Sequence, residues 1–232
     1  MKALILGYEI AFRGPHSHAS ISGSSMSEML SVLRAEGLDQ GEGRLSYLFA
    51  RHLESREKRI SEKRLETSLD SLVELVLDDL EIESPPLVPR LVRVMSEDVM
   101  SRFSVSEGSM EFMAELRESG VRIGLVCNAP MGIPPQYIRE RLEAAGLTEY
   151  LDDVQFSSEN GIVRPHARPY RYAISNMNVN PADTSVLTGL PEETPILQRL
   201  GFGGVFIPEH LSPRGMPDAV PIRALSELSR YL

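Results

Sequence analysis

The sequence predicts an α/β protein with a Rossmann-like parallel sheet and a helical insertion after its first strand. Short apolar runs alternate with helical patterns from residue 105 onward, which is typical of a parallel sheet covered on both faces. A similar run, Ala3 to Leu6, opens the chain. Residues 24–104 carry only helical periodicity. We therefore expect a core made of residues 1–13 and 105–232, with residues 14–104 as the insertion.

Composition limits the classes of partner and the compartment. The chain has 232 residues, of which 42% are hydrophobic, enough for a substantial core. Its net charge of −9 argues against binding to nucleic acid or to an anionic membrane surface, since both require basic faces. The lone cysteine, Cys127, cannot form an internal disulfide. With no signal peptide or apolar span in the sequence, we expect a cytoplasmic protein.

The first strand and the insertion have clear local signals. Ala3 to Leu6 is a continuous apolar run, as expected for a strand buried on both faces. Ser25 and Glu28 have capping-box spacing, so we expect a helix to begin there and to end near Gly37. Two further apolar stripes follow at residues 45–53 and 65–80. After the break at Pro85–Pro86 we expect a fourth helix over residues 87–103.

The second half predicts the remaining sheet and its covering helices. Strands are expected at residues 121–127, 154–156, 186–187 and 205–207, and helices at 110–117, 135–145, 170–177, 194–200 and 222–231. Ligands of such sheets bind at the carboxyl ends of the strands. The candidate site therefore consists of the residues that follow Leu6, Val126, Phe156 and Leu187.

Those four strand ends carry a resemblance to a known family. The segments read KALILGYEIAF from Lys2, GLVCNAP from Gly124, LEAAGLTEYLDDVQFSSENGIVRP from Leu142, and SVLTGLPEETPILQRLG from Ser185. In order and spacing they resemble the motifs of the haloacid dehalogenase superfamily. The resemblance covers the first strand and nearly everything after residue 105. It implies that residues 14–104 form the helical cap that this superfamily inserts over its active site.

The resemblance assigns catalytic roles to two positions after the first strand. The superfamily's nucleophilic Asp aligns with Gly7, which has no side chain that could form a covalent intermediate. Its acid/base Asp aligns with Glu9, which is still able to transfer protons. The alternative for Glu9 is a structural acid that pairs with Arg13 or Arg164.

Three further positions align with ligand-binding residues of the superfamily. Cys127 replaces a hydroxyl that binds phosphate, and a thiol is a weaker donor. Asn128 is the superfamily's residue, and Arg164 keeps the positive charge of its Lys. We therefore expect Cys127, Asn128 and Arg164 to bind a small anionic ligand. The space among Gly7, Cys127 and Arg164 is either an open pocket or filled by side chains such as Tyr8 or Leu190.

The resemblance implies magnesium, but the residues predict a chain without a metal or other cofactor. The superfamily's carboxylate ligands align with Gly7 and Leu190, which cannot coordinate a cation. Glu192 or Glu193, just downstream, could replace one ligand. The alternative is that both are first-turn acids favoured by the helix dipole.

Three functional hypotheses follow. The first is a pseudoenzyme that keeps the fold and binds a small anion. The second is an active, phosphatase-like hydrolase that uses Glu9 and Arg164 without a metal. The third is a protein-interaction module, for which the resemblance suggests a homodimer. The simultaneous loss of acids at positions 7 and 190 favours the first.

Overall fold

The computed structural model describes residues 2–13, 21–212 and 219–232. Within them lies a six-stranded sheet with the order β5-β4-β1-β6-β7-β8, and all its neighbouring strands are parallel. The strands are β1 (Ala3–Gly7), β4 (Arg122–Cys127), β5 (Asp153–Phe156), β6 (Thr184–Leu187), β7 (Gly204–Pro208) and β8 (Val220–Ile222). This is the α/β, Rossmann-like architecture that the alternating pattern predicts.

A second, two-stranded sheet lies beside the first strand. The antiparallel pair consists of β2 (Phe12–Arg13) and β3 (Ser104–Val105). It joins the segment that follows β1 to the segment through which the chain returns to the six-stranded sheet at β4. The sequence did not reveal this pair, because two-residue strands are too short to show a period-2 pattern.

The helices over residues 23–101 pack on one another before the chain returns to the sheet. They are α2 (Gly23–Ala35), α3 (Glu42–Lys63), α4 (Leu69–Asp79) and α5 (Leu87–Ser101). Helix α2 packs on α3 and α5, α4 packs on the same two helices, and α5 also contacts helix α7 (Pro135–Ala144). The division between a core and a cap at residues 14–104 stays a prediction, and residues 14–20 lie outside the described part of the chain.

The other helices cover the sheet or follow its strands. They are α1 (Tyr8–Ala11), α6 (Ser109–Glu118), α8 (Ser157–Asn160), α9 (Ala167–Asn176) and α10 (Thr194–Arg199). None of the helices described is long and apolar enough to cross a membrane.

Two predicted helix positions require correction. Helix α2 begins at Gly23, and its N-cap is Ser22, whose side chain accepts a hydrogen bond from the Ser25 amide; Ser25 itself lies inside the helix. The predicted helix at 222–231 is wrong. Its first residue ends β8, and residues 225–230 form a 3₁₀-helix. The apolar residues there recur every third position, Ile222, Leu225 and Leu228, which is the period of a 3₁₀-helix.

A buried ion pair lies where the helices over residues 23–101 meet the end of β5. Arg56 of α3 and Glu66, in the segment between α3 and α4, meet at 2.8 Å with both side chains 1% exposed. Glu66 also accepts a hydrogen bond from the Ser157 hydroxyl at 2.7 Å, and Ser157 accepts one from the Ala129 amide at 2.8 Å. The preceding residue, Leu65, forms an isolated antiparallel β-bridge with Ile162, which reinforces this contact.

We predict that Glu66→Ala destabilises the protein by about 3 kcal/mol, because Arg56 loses its fully buried carboxylate and keeps only the partly exposed one of Glu57, and because the Ser157 hydroxyl loses its acceptor. Urea denaturation followed by circular dichroism measures the loss. The matched control is Glu62→Ala, which removes an exposed acid 3.9 Å from Lys58 and should change stability by less than about 0.5 kcal/mol. Equal effects of the two substitutions would contradict this role of Glu66.

Candidate functional site

The parallel register brings the predicted strand ends together at one edge of the sheet. Gly7, the last residue of β1, pairs with Val126, the neighbour of Cys127 in β4. On the other side of β1, Leu6 pairs with Leu187, the last residue of β6. Thr188 follows Leu187 and is fully buried. The carboxyl ends of β1, β4 and β6 therefore surround one small volume.

Arg164 occupies that volume and is almost completely buried, with 1% of its side chain exposed. Its guanidinium forms ion pairs with two carboxylates. Nη1 and Nη2 donate to the two oxygens of Glu9 at 2.8 and 3.1 Å. Nε and Nη2 donate to the two oxygens of Glu193 at 2.8 and 2.6 Å. Both pairs are bidentate, an arrangement that the planar guanidinium favours.

Neutral groups complete the shell around Arg164. Nη1 also donates to the carbonyl oxygen of Val126 at 3.1 Å, Nη2 to the Thr188 hydroxyl at 2.9 Å, and Nε to the Tyr170 hydroxyl at 3.2 Å. A guanidinium has five N–H groups, and each nitrogen that bears them is directed at an acceptor of the protein itself. In this arrangement Arg164 has no free donor for an external anion.

Glu9 lies in the space that a side chain at position 7 would need. A Cβ atom added to Gly7 would be 2.2 Å from Oε1 of Glu9 and 2.8 Å from Nη2 of Arg164. One added to Gly189 would be 2.7 Å from Cγ of Glu9. Gly7 has ordinary extended backbone angles, so glycine is required there for space and not for conformation. Neither Tyr8 nor Leu190 fills the volume; Glu9 does.

The short helix α1 aims Glu9 at Arg164. Its single turn follows β1 directly and folds the chain back, so that Oε1 of Glu9 accepts a hydrogen bond from the Gly189 amide at 2.7 Å. Burial alone would raise the pKa of Glu9, but the Arg164 guanidinium outweighs burial and holds the pKa below its usual value. Glu9 is therefore ionised at neutral pH and is a poor proton acceptor.

The aromatic neighbour of Glu9 points elsewhere. Tyr8 is buried and stacks on Phe12 at 4.7 Å, with Phe103 edge-on at 5.3 Å. Burial raises the pKa of its hydroxyl far above the ordinary value. This aromatic cluster anchors the start of α1 to β2 and to the chain that returns from the inserted helices.

Two of the predicted ligand-binding residues serve the protein's own structure. Asn128 accepts a hydrogen bond from the Arg164 amide at 2.7 Å and donates one to its carbonyl oxygen at 3.3 Å. The Cys127 thiol is buried, and burial raises its pKa well above the usual value, so it is neither a thiolate nor a nucleophile. Binding of an anion by Cys127, Asn128 and Arg164 stays a prediction, and it would require Glu9 and Glu193 to move.

Glu193 lies at the N-cap of α10, as the expectation of a first-turn acid implies, but its side chain also has a role that was not expected. It is fully buried, pairs with Arg164 and accepts a hydrogen bond from the Thr188 hydroxyl. Leu190 contributes only its backbone, whose amide donates to the Thr188 hydroxyl at 3.0 Å. Sequence reasoning included the residues after Leu187 in the candidate site but gave Thr188 no role, and it missed Tyr170. Thr188 had one available signal, its position directly after a strand of the predicted sheet.

The arrangement does not fit a magnesium ion. Mg²⁺ needs about six oxygens in near-octahedral geometry. The carboxylates nearest the position, Glu9 and Glu193, are both committed to a guanidinium, whose charge would repel a cation. Among the residues described, no group of three or more His, Cys, Asp or Glu side chains could hold a metal ion.

Comparison with known proteins identifies a family. A family model described as a haloacid dehalogenase-like hydrolase matches residues 31–186, more than half of the chain. The match begins after β1 and ends within β6, so that Gly7, Glu9 and Leu190 all lie outside it. Phosphoserine phosphatase of Thermus thermophilus is 30% identical over 128 residues, which are 55% of this chain and 49% of that protein. The chain thus spans about half the length of the curated relative it matches.

Solved structures share the fold over their full length. A putative beta-phosphoglucomutase from Thermotoga maritima has a TM-score of 0.58 at 16% identity and covers 100% of both chains. A HAD phosphatase from Thermococcus onnurineus has a TM-score of 0.58 at 17% identity, covering 100% of this chain and 97% of that one. The L-2-haloacid dehalogenase from Xanthobacter autotrophicus has a TM-score of 0.55 at 16% identity, covering 99% and 97%.

The depressed pKa of Glu9 predicts a pH-dependent contribution to stability. A carboxyl whose pKa is lower in the folded state stabilises that state above its unfolded pKa, and the contribution is lost as pH falls through the folded value. The wild type should be more stable than Glu9→Gln by about 2 kcal/mol at pH 7. The difference should persist down to about pH 4.5, the ordinary value for Glu, and shrink below it.

Chemical denaturation of both proteins at a series of pH values measures this difference. Glu118→Gln, an exposed acid at the end of α6, is the matched control and should show little difference at any pH. If the gap between wild type and Glu9→Gln grew on acidification, the pairing of Glu9 with Arg164 would not be what stabilises this edge of the sheet.

Proposed function

The chain belongs to the haloacid dehalogenase-like hydrolase family, and from that premise we propose that it is a pseudoenzyme whose catalytic centre has become a structural ion-pair cluster. The observation that carries the proposal is the saturation of Arg164. Arg164 is the cation that would pair with a negatively charged substrate. It pairs instead with the carboxylates of Glu9 and Glu193, at 2.8 and 2.6 Å. Family membership by itself does not establish activity.

The missing nucleophile supports the same conclusion. Covalent catalysis in this family's manner needs a carboxylate at position 7, and Gly7 has none. The volume in which such a carboxylate would lie holds the side chain of Glu9. A substrate oxygen would have to displace a buried, ionised group from a bidentate pair before it reached the end of β1. That displacement would oppose both binding and reaction.

The inserted helices are part of this proposal as a closed cover. We infer that the block over residues 14–104 is the cap of the family and that Glu66, paired with Arg56 inside the block, links it to the core. Glu66 is also hydrogen-bonded to Ser157, at the carboxyl end of β5. The cap thereby contributes a second set of satisfied charges on the same side of the sheet, so that neither set presents a free charge to a substrate.

One observation favours a second candidate, an active hydrolase with metal-independent chemistry. Glu9 borders an open cleft of about 670 Å³, and 16% of its side chain is exposed. From there a carboxylate could accept a proton from water. Its lowered pKa and its three hydrogen bonds, two from Arg164 and one from the Gly189 amide, weaken it as a base, and for that reason we rank this candidate second.

A phosphatase assay separates the two candidates. We predict that the purified wild type does not turn over p-nitrophenyl phosphate above background, with or without Mg²⁺, because the nucleophile and metal ligands are absent. The comparison set is Glu9→Gln, Arg164→Lys and the exposed control Glu118→Gln. Mg²⁺-dependent turnover that both site variants abolish and Glu118→Gln retains would refute the pseudoenzyme. Metal-independent turnover lost only in the site variants would establish the second candidate.

A further inference from the structure

A second concave surface lies beside the ion-pair cluster and shares only Glu9 with it. It is a cleft of about 670 Å³ at the carboxyl ends of β1, β7 and β8, closed on one side by α6. In parallel sheets this edge is where ligands bind, and the volume is within the usual range of small-molecule sites. Neither Arg164 nor Glu193 lines it, so its chemistry is independent of the degenerate centre.

The floor of the cleft is apolar. Ile10 of α1, Phe112 of α6, Ile222 at the end of β8 and Leu225 all line it. Phe112 and Ile222 belong to the main hydrophobic core, and Ile10 and Leu225 are partly buried against it. Apolar surface left inside a concave site favours a ligand with an apolar body, because such a ligand displaces water from it.

Charges of opposite sign reach the cleft from different elements. Glu111 and Glu115 of α6, together with Glu107 just before it, line one part at intervals of four residues. Residues at that spacing share a helix face, and like charges there repel one another. Arg13 of β2 and Arg223 after β8 supply the positive charges, and Arg223 also forms an exposed ion pair with Glu209 at 2.9 Å. Within the described residues, the three glutamates and Arg13 take part in no ion pair, so their charges are available to a ligand.

We propose that this cleft binds a small zwitterion with an apolar body, of the kind represented by a short apolar peptide with free ends. The ammonium group would pair with the glutamates of α6. The carboxylate would pair with Arg13 and Arg223, and the apolar side chains would cover the floor. A ligand with one sign of charge would satisfy only one of the two sets and would leave the other desolvated.

The dipeptide Leu-Phe tests the proposal by isothermal titration calorimetry of the full chain. We expect a Kd between about 10 µM and 1 mM, which is reasonable for a ligand of this size. N-acetyl-Leu-Phe lacks the ammonium charge and Leu-Phe-amide lacks the carboxylate. Each should bind about tenfold more weakly than Leu-Phe, because each loses a charge-assisted contact.

Variants of the chain locate the binding. Glu111→Gln should weaken the binding of Leu-Phe about fivefold, because the ammonium group loses a charged partner. The binding of Leu-Phe-amide, which keeps its ammonium group, should weaken as well, whereas that of N-acetyl-Leu-Phe should not change. Arg13→Gln should weaken Leu-Phe similarly through the carboxylate. Glu118→Gln, on α6 but outside the cleft, and Arg168→Gln, exposed at the start of α9, are the matched controls and should bind like the wild type.

Three results would overturn the proposal. They are the absence of binding at millimolar Leu-Phe, equal affinity for the free and capped peptides, and equal affinity of Glu111→Gln, Arg13→Gln and their controls. All five proteins carry substitutions at exposed positions or none, so equal melting temperatures can be checked beforehand. The titration needs no turnover and no metal, so its outcome is independent of whether the chain is a pseudoenzyme.

Discussion

The neutralisation of one buried cation organises this edge of the fold. Arg164 is buried among three strand ends, and an isolated charge there would be prohibitively costly. Burial would lower its pKa, but the carboxylates of Glu193 and Glu9 outweigh this and hold the pKa above the usual value. One guanidinium therefore fixes the positions of two loops that are far apart in the sequence. They are the turn after β1, which carries Glu9, and the segment after β6, which carries Glu193.

If the chain is the pseudoenzyme that we propose, the same interaction accounts for the persistence of the fold without the family's nucleophile. In an active enzyme of this kind, a cation at position 164 would be free to pair with the negative charge of a substrate. Here Glu9 and Glu193 supply the negative charge. Two carboxylates share one cation, and the excess negative charge is met by the Gly189 amide and the Thr188 hydroxyl. Arg56 and Glu66 form a second buried ion pair, near the point where the helices over residues 23–101 meet the end of β5. In both clusters the buried charges are paired within the protein itself, and we propose ligand binding instead at the open cleft beside α6.

Much of the fold could be predicted from the sequence, because it depends on apolar periodicity. The runs at Ala3–Leu6 and Val121–Cys127 identify strands buried on both faces, and the strand order then brings Gly7 and Cys127 together. Elements that depend on a few residues could not be predicted. The β2–β3 pair is two residues long on each side, and the 3₁₀-helix at residues 225–230 imitates a helical pattern. In both cases tertiary contacts decide the local structure.

The sequence indicates which strand ends meet, but not the contacts that their residues make. Alignment of motifs brings Glu9, Asn128 and Arg164 to one edge, and the structure does place them in contact. Glu9 turns back into the space beside Gly7 because of the single turn of α1. Glu193 reaches Arg164 because of the shape of the loop after β6. Side-chain direction in such short segments is set by packing, which the sequence pattern does not encode.

Arg164, Glu9 and Glu193 form one structural unit in which two carboxylates share one buried guanidinium. The most direct test compares the free energy of unfolding of Arg164→Met with that of the triple variant Arg164→Met, Glu9→Gln, Glu193→Gln. Arg164→Met alone leaves two carboxylates buried without a cation and should cost about 3–5 kcal/mol, whereas the triple variant removes those charges and should recover a large part of the loss. A triple variant less stable than Arg164→Met, with losses that simply add, would contradict the account.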